Sequence, residues 1–452
     1  MRIPKKRQQG AREGNEQDVS VIPRVPALAP FGVRSFRFQW PADLLTSLAF
    51  ERETVILGWY VMVATGSVLW LTAFGSVLLL GTLVSPMFGV LGDRLGARVM
   101  LVSMRAIYAT LAAFVLALTL TGSLTPGWVL VVATLAGLVR PNEQVMRNTL
   151  IGETIPSQHL MGAVGLSRAT MDCARVVGAL AGAELSTALG IERTYVLVTS
   201  LYAASLVLTF EVARRRPVPD PGRSLGDAPA EGHDVALVSS RRRELKDGLL
   251  YVLKTPELLA MMWLAFLINL TAYPISSGLL PYVARQIFLV GATGLGWLAA
   301  SFALGSLLGS IATIATGGPR RLARSMLVYT AIWYAILLAF GHLQSMGPGL
   351  FALVVAGFVQ SIAMIAMTAN LLNASDERFR ARVMGVRTLA IYGMPVGLMS
   401  SGVLIERIGY PMTISVLALV GLVFTVLIGI RWRASLWQRR RQPTVTAQPQ
   451  RG

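Results

Sequence analysis

Long apolar runs separated by short polar segments dominate the pattern of this chain. A helix needs roughly 20 apolar residues to cross the hydrocarbon core of a bilayer, because each residue advances it by about 1.5 Å. Twelve runs reach approximately that length, although Glu51-Arg52-Glu53 interrupts the first. They cover residues 42–64, 68–91, 99–121, 127–149, 160–189, 194–212, 257–282, 292–315, 324–341, 348–371, 383–405 and 411–430. The pattern therefore predicts an all-α membrane protein with twelve transmembrane helices.

Composition agrees with this interpretation. Hydrophobic residues make up 54% of the chain and charged residues 14%, whereas about a quarter of a typical soluble domain is charged. The basic N-terminus is not followed by the short apolar core and small-residue cleavage site of a signal peptide. The single cysteine, Cys173, cannot form an internal disulfide.

The positions of lysine and arginine predict the orientation of the chain. Basic residues concentrate in both tails, in the central linker and in every second loop, while the opposite loops hold only Arg193, Arg285 and Arg407. Cytoplasmic loops carry such an excess, so both termini are expected in the cytoplasm of a plasma-membrane protein. Nucleic-acid binding, the other explanation of a net charge of +18, is disfavoured because the basic residues are spread over short loops beside apolar runs.

The chain divides into two related halves. We expect a basic tail (1–40), a six-helix bundle (41–212), a linker with an amphipathic helix (213–255), a second six-helix bundle (256–431) and a basic tail (432–452). The stretch from Leu160 to Gly190 resembles the stretch from Val383 to Gly409, with a small gap. Likewise, Gly92–Val102 aligns with Gly318–Val328, although the second copy has proline in place of the acid. These matches predict two pseudo-symmetric bundles.

The segment between the second and third runs has the most specific pattern. It reads Gly89-Val-Leu-Gly-Asp93-Arg94-Leu-Gly96-Ala-Arg98-Val-Met-Leu101. This sequence resembles the signature between helices two and three of the major facilitator superfamily. The resemblance implies transport by alternating access, with a substrate cavity between two six-helix bundles. It says nothing about the substrate.

The fifth run carries a second resemblance. Ala174-Arg175-Val-Val-Gly178-Ala-Leu-Ala-Gly182 is similar to the antiporter motif of the superfamily, although that motif usually has proline where Ala179 stands. The resemblance implies that helix five packs tightly against helix eight, which offers Gly305 and Gly309. Ordinary small-residue packing between helices is the alternative.

The resemblance extends from about Phe36 to Arg431. With Trp59, Thr65-Gly66-Ser67 and Tyr251-Val-Leu-Lys254-Thr-Pro256, the chain is similar to the branch that includes enterobactin-exporter-like and macrolide-efflux-like proteins.

Charged residues in the first run are candidates for proton coupling. An ionised side chain at bilayer depth is costly, so such residues usually face a cavity and serve a function. Glu51 and Glu53 point about 200° apart on a helix, and Arg52 could neutralise one of them. Burial would favour protonation of the other, as a coupling acid requires. Glu53 is the favoured candidate and Glu51 the alternative, unless the helix starts later and both acids are interfacial.

Two further sets of charged residues have the three-and-four spacing of a helix face: Arg140, Glu143 and Arg147 in the fourth run, and Arg168, Asp172 and Arg175 in the fifth. The family resemblance links Arg140 to proton transfer. Either set could instead form a structural ladder of ion pairs between neighbouring helices.

At the cytoplasmic surface we expect a gate that latches the outward-facing state. Arg98 is predicted to pair with Glu153 at the end of helix four. Asp93 is predicted to lie against the N-terminus of helix eleven near Val383–Gly385, where the helix dipole favours an anion.

The second half has no acid within a predicted span. Candidates for the wall of the substrate cavity are Trp59 in the first half and Asn269, Tyr273, Gln360 and Tyr392 in the second. Aromatic and methionine-rich walls suit an amphipathic ligand. Each of these side chains could also serve helix packing alone.

The leading hypothesis is a monomeric transporter that exports a hydrophobic or amphipathic small molecule in exchange for protons across the lipid bilayer. Proton-coupled uptake, lipid transport and a non-transporting receptor are the alternatives. An enzyme is disfavoured because the three histidines are scattered in loops and no nucleophile, metal, cofactor or nucleotide motif is present.

Overall fold

The computed structural model describes residues 30–82, 88, 91–92, 95–155, 157–212, 248–316, 318–319, 321–376 and 379–434. These residues form helices joined by turns, and none of them lies in a strand. The run Ser157–Phe210 changes direction at Gly190, whose φ of 79° and ψ of 167° are not helical. We therefore divide it into α5 (157–189) and α6 (191–210).

The other helices are α1 (Arg34–Thr65), α2 (Val68–Val77), α3 (Ala97–Leu120), α4 (Pro126–Thr154), α7 (Pro256–Ile287), α8 (Ala292–Ala315), α9 (Leu322–Phe340), α10 (Met346–Ala374), α11 (Arg382–Ile408) and α12 (Tyr410–Arg431). Most of them begin and end close to the predicted runs, but α1 begins earlier than the first run. The second helix, α2, ends at Val77, where turn residues 78–80 interrupt the predicted run 68–91. Within the described residues, eight helices are long and apolar enough to cross a membrane. The all-α prediction is confirmed.

The first helix begins at Arg34 rather than at residue 42. Its first turns are too polar to be predicted as part of an apolar run, but contacts with other helices hold them in place. Phe36 is buried, Gln39 donates to the carbonyl of Arg147, and the Trp40 indole donates to Thr170 Oγ1 at 2.8 Å. The acids of α1 therefore lie well inside the helix, and the alternative of a later start is wrong.

Two separate apolar cores lie in the two halves of the chain. One is built from residues between Ala49 and Val212, and the other almost entirely from residues between Val252 and Ile428. Each core is close-packed around its own helices. The predicted linker and basic tails lie largely outside the described residues, so the domain boundaries stay predictions.

Close glycine contacts recur at corresponding places in the two cores. A Cβ at Gly137 of α4 would lie 2.2 Å from a backbone oxygen near α2, and one at Gly81 would lie 2.4 Å from the carbonyl of Gly137. In the second half, a Cβ at Gly305 of α8 or Gly357 of α10 would meet the opposite backbone at 2.0 and 2.1 Å. The α2–α4 and α8–α10 contacts are therefore built in the same way.

The turns that end the predicted sequence repeat also match. Gly190 precedes α6 with φ of 79° and ψ of 167°, and Gly409 precedes α12 with φ of 78° and ψ of 165°. Positive φ of this kind is strained for residues with a Cβ. The similarity found between the two stretches of sequence thus has a counterpart in backbone conformation.

The glycines of the fifth helix contact a different neighbour from the one expected. A Cβ at Gly178 would lie 2.8 Å from Glu51 Cβ, and one at Gly182 would lie 3.2 Å from Arg52 Cα. Gly305 and Gly309 face α10 instead. The run 157–210 does pack along α8, but not through these glycines, because the small residues of α5 bring it close to the charged part of α1.

The halves join at the end of the helices remote from both termini. Arg285 of α7 donates to the carbonyl of Met62 in α1. Ser76 Oγ donates to the carbonyl of Pro395 at 3.2 Å, which links α2 to the middle of α11. Closer to the termini, a cavity lies between the halves.

Candidate functional site

Two pockets, called lobes here, share the lining residue Ile391 of α11. One lobe, of about 360 Å³, lies among α7, α10 and α11. The other, of about 260 Å³, lies among α1, α2, α4 and α5. Pockets for small molecules commonly measure roughly 300–1,000 Å³, so the two lobes together have the size of a ligand site.

Glu51 lies on the wall of the first-half lobe between two arginines. Its Oε1 is 3.8 Å from Arg140 Nη2 and 3.8 Å from Arg175 Nε. Arg175 also lies 3.8 Å from Asp172, one turn earlier on α5. Three candidate sets from separate helices thus converge at one place. The partners of Glu51 are Arg140 and Arg175 rather than Arg52, whose backbone instead packs beside Gly182.

The Arg140 guanidinium also lies over the ring of Phe50, 3.0 Å from its centroid. A cation over an aromatic face is held by the electrostatic field of the ring. Because Phe50 and Arg140 both line the lobe, this contact forms part of its wall.

A buried network of four charged residues lies behind this wall. Arg147 contacts Glu143 at 2.8 Å and Asp43 at 3.4 Å, while Arg105 contacts Asp43 and lies 3.7 Å from Glu143. None of the four side chains is more than 9% exposed. Two acids and two guanidiniums balance one another, so the network ties α1, α3 and α4 together without an unpaired charge.

Sequence analysis missed Asp43 and Arg105. Arg105 interrupts the third apolar run and Asp43 stands near the start of the first, so both carried the same signal as the residues that were selected. A buried guanidinium in an apolar helix requires an acid partner. A search for an acid that could pair with Arg105 would have pointed to Asp43.

Glu53 lies on another face of α1 from Glu51, as the predicted angle between them requires. Only 8% of Glu53 is exposed, and its carboxylate accepts hydrogen bonds from Tyr202 at 2.9 Å and Tyr195 at 3.5 Å. No ion pair of Glu53 occurs within the described residues. Its charge is therefore met by the hydroxyl groups of α6 rather than by a guanidinium.

A small apolar void separates Glu53 from the cavity. The void measures about 10 Å³, close to the minimum for one water molecule, and both Glu53 and Phe50 line it. Phe50 lines the first-half lobe as well. Leu78 lines both spaces too, so Phe50 and Leu78 lie between the buried carboxyl and the cavity.

The cavity candidates of the second half have different positions. Asn269 and Tyr273 line the larger lobe, and Gln360 Nε2 donates to the Tyr273 hydroxyl at 2.9 Å from behind it. Tyr392 instead donates to the carbonyl of Thr82 at 2.8 Å and joins α11 to the first half. Trp59 packs against the second-half core and lines neither lobe.

Arg387 is a lobe residue that sequence analysis did not select. It lines the larger lobe, and its Nη1 donates to Thr368 Oγ1 of α10 at 2.8 Å. Four methionines line the same lobe: Met364, Met367, Met384 and Met394. An arginine inside the eleventh predicted run was the available signal.

Part of the predicted gate lies outside the described residues, namely Gly89, Asp93 and Arg94. Gly96 has φ of 83° and precedes the first turn of α3. Arg98 donates to the carbonyls of Phe210 and Val212 at 2.5 and 2.7 Å, which ties α3 to the end of α6. Glu153 is exposed near the end of α4. The pairing of Arg98 with Glu153 and the position of Asp93 stay predictions.

Comparison with known proteins agrees with this architecture. The family described as Major Facilitator Superfamily matches residues 54–392. A POT family transporter in complex with 5-aminolevulinic acid superposes with a TM-score of 0.68 at 11% identity, covering 90% of this chain and 97% of the other.

Two further solved structures have similar coverage. A bacterial homolog of the human lysosomal transporter Spinster, inward-facing and unoccupied, superposes with a TM-score of 0.65 at 14% identity, covering 89% of this chain and 97% of the other. The nucleoside transporter NupG superposes with a TM-score of 0.65 at 13% identity, covering 90% of this chain and 100% of the other. At such identities these likenesses show the fold alone. No curated protein matches the chain.

Proposed function

The chain belongs to the major facilitator superfamily and is therefore a multi-pass membrane transporter; from this premise we propose that it exports a hydrophobic or amphipathic small molecule in exchange for protons. The proposal includes a monomer in the plasma membrane with both termini in the cytoplasm. It places the chain in the enterobactin-exporter-like and macrolide-efflux-like branch, on the sequence patterns described above.

The observation that carries proton coupling is the environment of Glu53. Its carboxylate is buried against two tyrosine hydroxyls, so protonation removes a charge without leaving a guanidinium unpaired. Protonation of Glu143 would have the opposite effect, since it would weaken the balance around Arg105 and Arg147. Glu53 is therefore the coupling residue in this proposal.

Glu51 is the alternative coupling residue. It lines the cavity directly, whereas Phe50 and Leu78 separate Glu53 from it. Two arginines lie within 4 Å of Glu51, however, so removing its charge would weaken the ion pairs that join α1 to α4 and α5. In the proposal, Arg140, Asp172 and Arg175 hold Glu51 and shape the cavity wall, and Glu143 belongs to the buried framework.

The contacts between the halves support a position in the transport cycle. Arg285 contacts Met62 at the end remote from the termini, and Ser76 contacts Pro395 at the middle of α11. With cytoplasmic termini, this arrangement corresponds to an inward-facing state. The gate formed by Asp93, Arg98 and Glu153 would close only in the outward-facing state, so an open gate is consistent with it.

Proton-coupled uptake is the second candidate function. The solved structures with this fold include a nucleoside transporter and peptide transporters. Export and uptake differ in whether the substrate and the proton move in opposite or equal directions, and the same cavity could serve either.

Everted membrane vesicles test both candidates. They are energised to an acidic interior, and a fluorescent dye reports the interior pH while candidate amphiphiles are added outside. Export by antiport predicts loss of protons from the vesicle that requires the chain and is abolished by Glu53→Gln. Glu406→Gln, an exposed acid of α11, is the matched control and should behave as wild type.

Two outcomes would contradict the proposal. Undiminished proton release by the Glu53→Gln variant would show that Glu53 is not the coupling residue and would favour Glu51. Accumulation of a substrate that is unaffected by a protonophore would remove proton coupling altogether.

A further inference from the structure

The path between Glu53 and the cavity carries an inference, which rests on the proposed function because it takes Glu53 as the coupling residue. On the side of α6 the carboxylate is covered by Tyr195 and Tyr202, neither of which is more than 1% exposed. A proton must reach such an acid through a hydrogen bond, either directly or by way of a water molecule. The first-half lobe shares lining residues with the void beside Glu53, so it is the open space from which that proton can come.

The void beside Glu53 does not carry a proton in this state. Its volume is about 10 Å³, and besides Glu53 and Thr54 it is lined by apolar side chains of α1, α2 and α4 and by Leu78. A buried water typically makes about three hydrogen bonds to polar groups, and apolar cavities stay dry. The path from the lobe to the carboxylate is therefore closed.

Phe50 and Leu78 are the two described residues that line both the void and the lobe. Phe50 lies one turn before Glu53 on α1, so their side chains project from the same side of the helix. Leu78 stands where the turn 78–80 interrupts the second predicted run. An opening between the two spaces therefore passes these two side chains, both of which are buried.

The Arg140 guanidinium holds the Phe50 ring from the side of the lobe. Its Cζ lies 3.0 Å from the ring centroid, and its Nη2 lies 3.8 Å from Glu51 Oε1, so an acid of α1 helps to fix the cation. A cation–π contact shifts an equilibrium by about 2–30-fold, from exposed sites to desolvated ones. Among the described residues, Arg175 contacts Glu51 at the same distance but does not contact the ring.

We propose that Phe50 is a gate between the cavity and Glu53, and that Arg140 is the positioning residue that keeps it closed. Displacement of the ring joins the void to the lobe and admits water, through which a proton passes between the cavity and the carboxylate. Because Arg140 lines the lobe, the position of its guanidinium links the contents of the lobe to this exchange. Protons reach Glu53 only in states in which the ring has moved.

Thiol labelling measures the gate without using proton transport. In a Cys173→Ser background of the full chain in lipid nanodiscs, Ala133→Cys places a thiol on the void and leaves Glu53 intact, while Glu53→Cys places one at the acid itself. The rate of reaction with methyl methanethiosulfonate, a small neutral reagent, is followed by mass spectrometry. Both thiols should react far more slowly than Thr388→Cys on the wall of the larger lobe. If one reporter variant fails to fold, the other decides.

Two phenylalanines provide a matched comparison. Phe50 lines both spaces, whereas Phe74, which is also buried, lines the void alone. Phe50→Ala should speed the labelling by about tenfold or more, because truncation leaves a cavity that joins the void to the lobe. Phe74→Ala leaves a similar cavity but opens no path, so its rate should stay close to that of the parent. The pair separates opening of the gate from a general loss of stability.

A double-variant comparison tests the role of Arg140. Arg140→Gln should speed the labelling by about 2–30-fold, whereas Arg175→Gln should leave it unchanged. Phe50→Leu retains an apolar side chain without a ring and should behave like Arg140→Gln. Adding Arg140→Gln to Phe50→Leu should have no further effect, because the guanidinium acts through the ring.

The results that overturn the gate are distinct from failure of the proposed function. Labelling of the parent as fast as that of Thr388→Cys, or equal rates in Phe50→Ala and Phe74→Ala, would refute the gate, and additive effects of Arg140→Gln and Phe50→Leu would refute the role of Arg140. Glu53-dependent antiport with labelling indifferent to Phe50 would leave the proposed function standing while refuting the gate. Labelling controlled by Phe50, in a chain whose proton release survives Glu53→Gln, would support the gate and refute coupling through Glu53.

Discussion

The hydroxyl of Tyr202 donates a hydrogen bond of 2.9 Å to Glu53 Oε2 and so joins α6 to α1 inside the first bundle. The second tyrosine at this carboxylate, Tyr195, is more distant at 3.5 Å. A charge-assisted hydrogen bond is strongest when short, so the two hydroxyls contribute unequally. Glu53 thus depends mainly on one neighbour for its polar contact.

This inequality predicts different costs for two similar substitutions. Tyr202→Phe should lower the free energy of unfolding by about 1–3 kcal/mol, because a buried carboxylate loses its principal donor. Tyr195→Phe is the matched control and should cost less. Thermal unfolding of the purified variants measures both, and a larger cost for Tyr195→Phe would contradict the assignment of Tyr202 as the principal donor.

Removing one acid from the buried network should be severe. Asp43→Asn leaves Arg105 and Arg147 with a deficit of negative charge, and breaking a buried pair in this way costs about 3–5 kcal/mol. We expect a large loss of monodisperse protein after extraction from the membrane. Glu211→Gln, which changes an exposed acid, should be neutral.

A compensating double variant tests the balance itself. Replacing Arg105 by Met together with Asp43→Asn removes one charge of each sign, so it should recover part of the yield lost in Asp43→Asn. A double variant as poor as the single variant would show that local packing, not charge balance, sets the cost.

Close backbone approach predicts the effect of one methyl group on α4. Gly137→Ala would place a Cβ 2.2 Å from a backbone oxygen, where no side chain can move aside. Overpacking typically costs about 1–3 kcal/mol. Gly127→Ala on the same helix meets its nearest atom at 3.8 Å and should be tolerated. Thermal unfolding compares the two, and equal midpoints would contradict the tight α2–α4 contact.

The contact of Arg285 with Met62 predicts that the cavity is closed to reagents at the end remote from the termini. In a Cys173→Ser background, a cysteine replacing Thr388 on the cavity wall should react with a membrane-impermeant thiol reagent only from the side of the termini. Adding Arg285→Ala should permit reaction from the remote side, because it removes a bond between α7 and α1. Arg407→Ala should leave the labelling unchanged. Protection as strong as in the parent would indicate that other contacts hold this end closed.

The helix positions could be predicted from sequence because length and hydropathy are local properties. The eighth run, 292–315, coincides with α8, and most other bounds differ by a few residues. The start of α1 was missed because Ser35 and Gln39 are polar yet buried, and Gln39 donates to a carbonyl of α4. Their burial depends on neighbours that are distant in sequence.

Candidate residues could be found because a charge in an apolar run is conspicuous, but their partners could not. Arg52 was expected to neutralise Glu51 or Glu53, whereas Glu51 contacts arginines of α4 and α5. The partner of an intramembrane charge depends on how each helix is rotated about its axis and which helix lies next to it. Neither is encoded in the spacing along one helix.

The sequence by itself therefore determined that this chain forms apolar helices, that Leu160–Gly190 resembles Val383–Gly409 and that Gly89–Leu101 carries the pattern of its superfamily. Each of these three features depends only on residues that are neighbours along the chain. Only the tertiary structure decided that Asp43 and Arg105 pair, that Gly178 faces α1 and that Arg387 lines a cavity with Asn269 and Tyr273. Packing of separate helices creates those relationships, since each one joins residues that the chain keeps far apart.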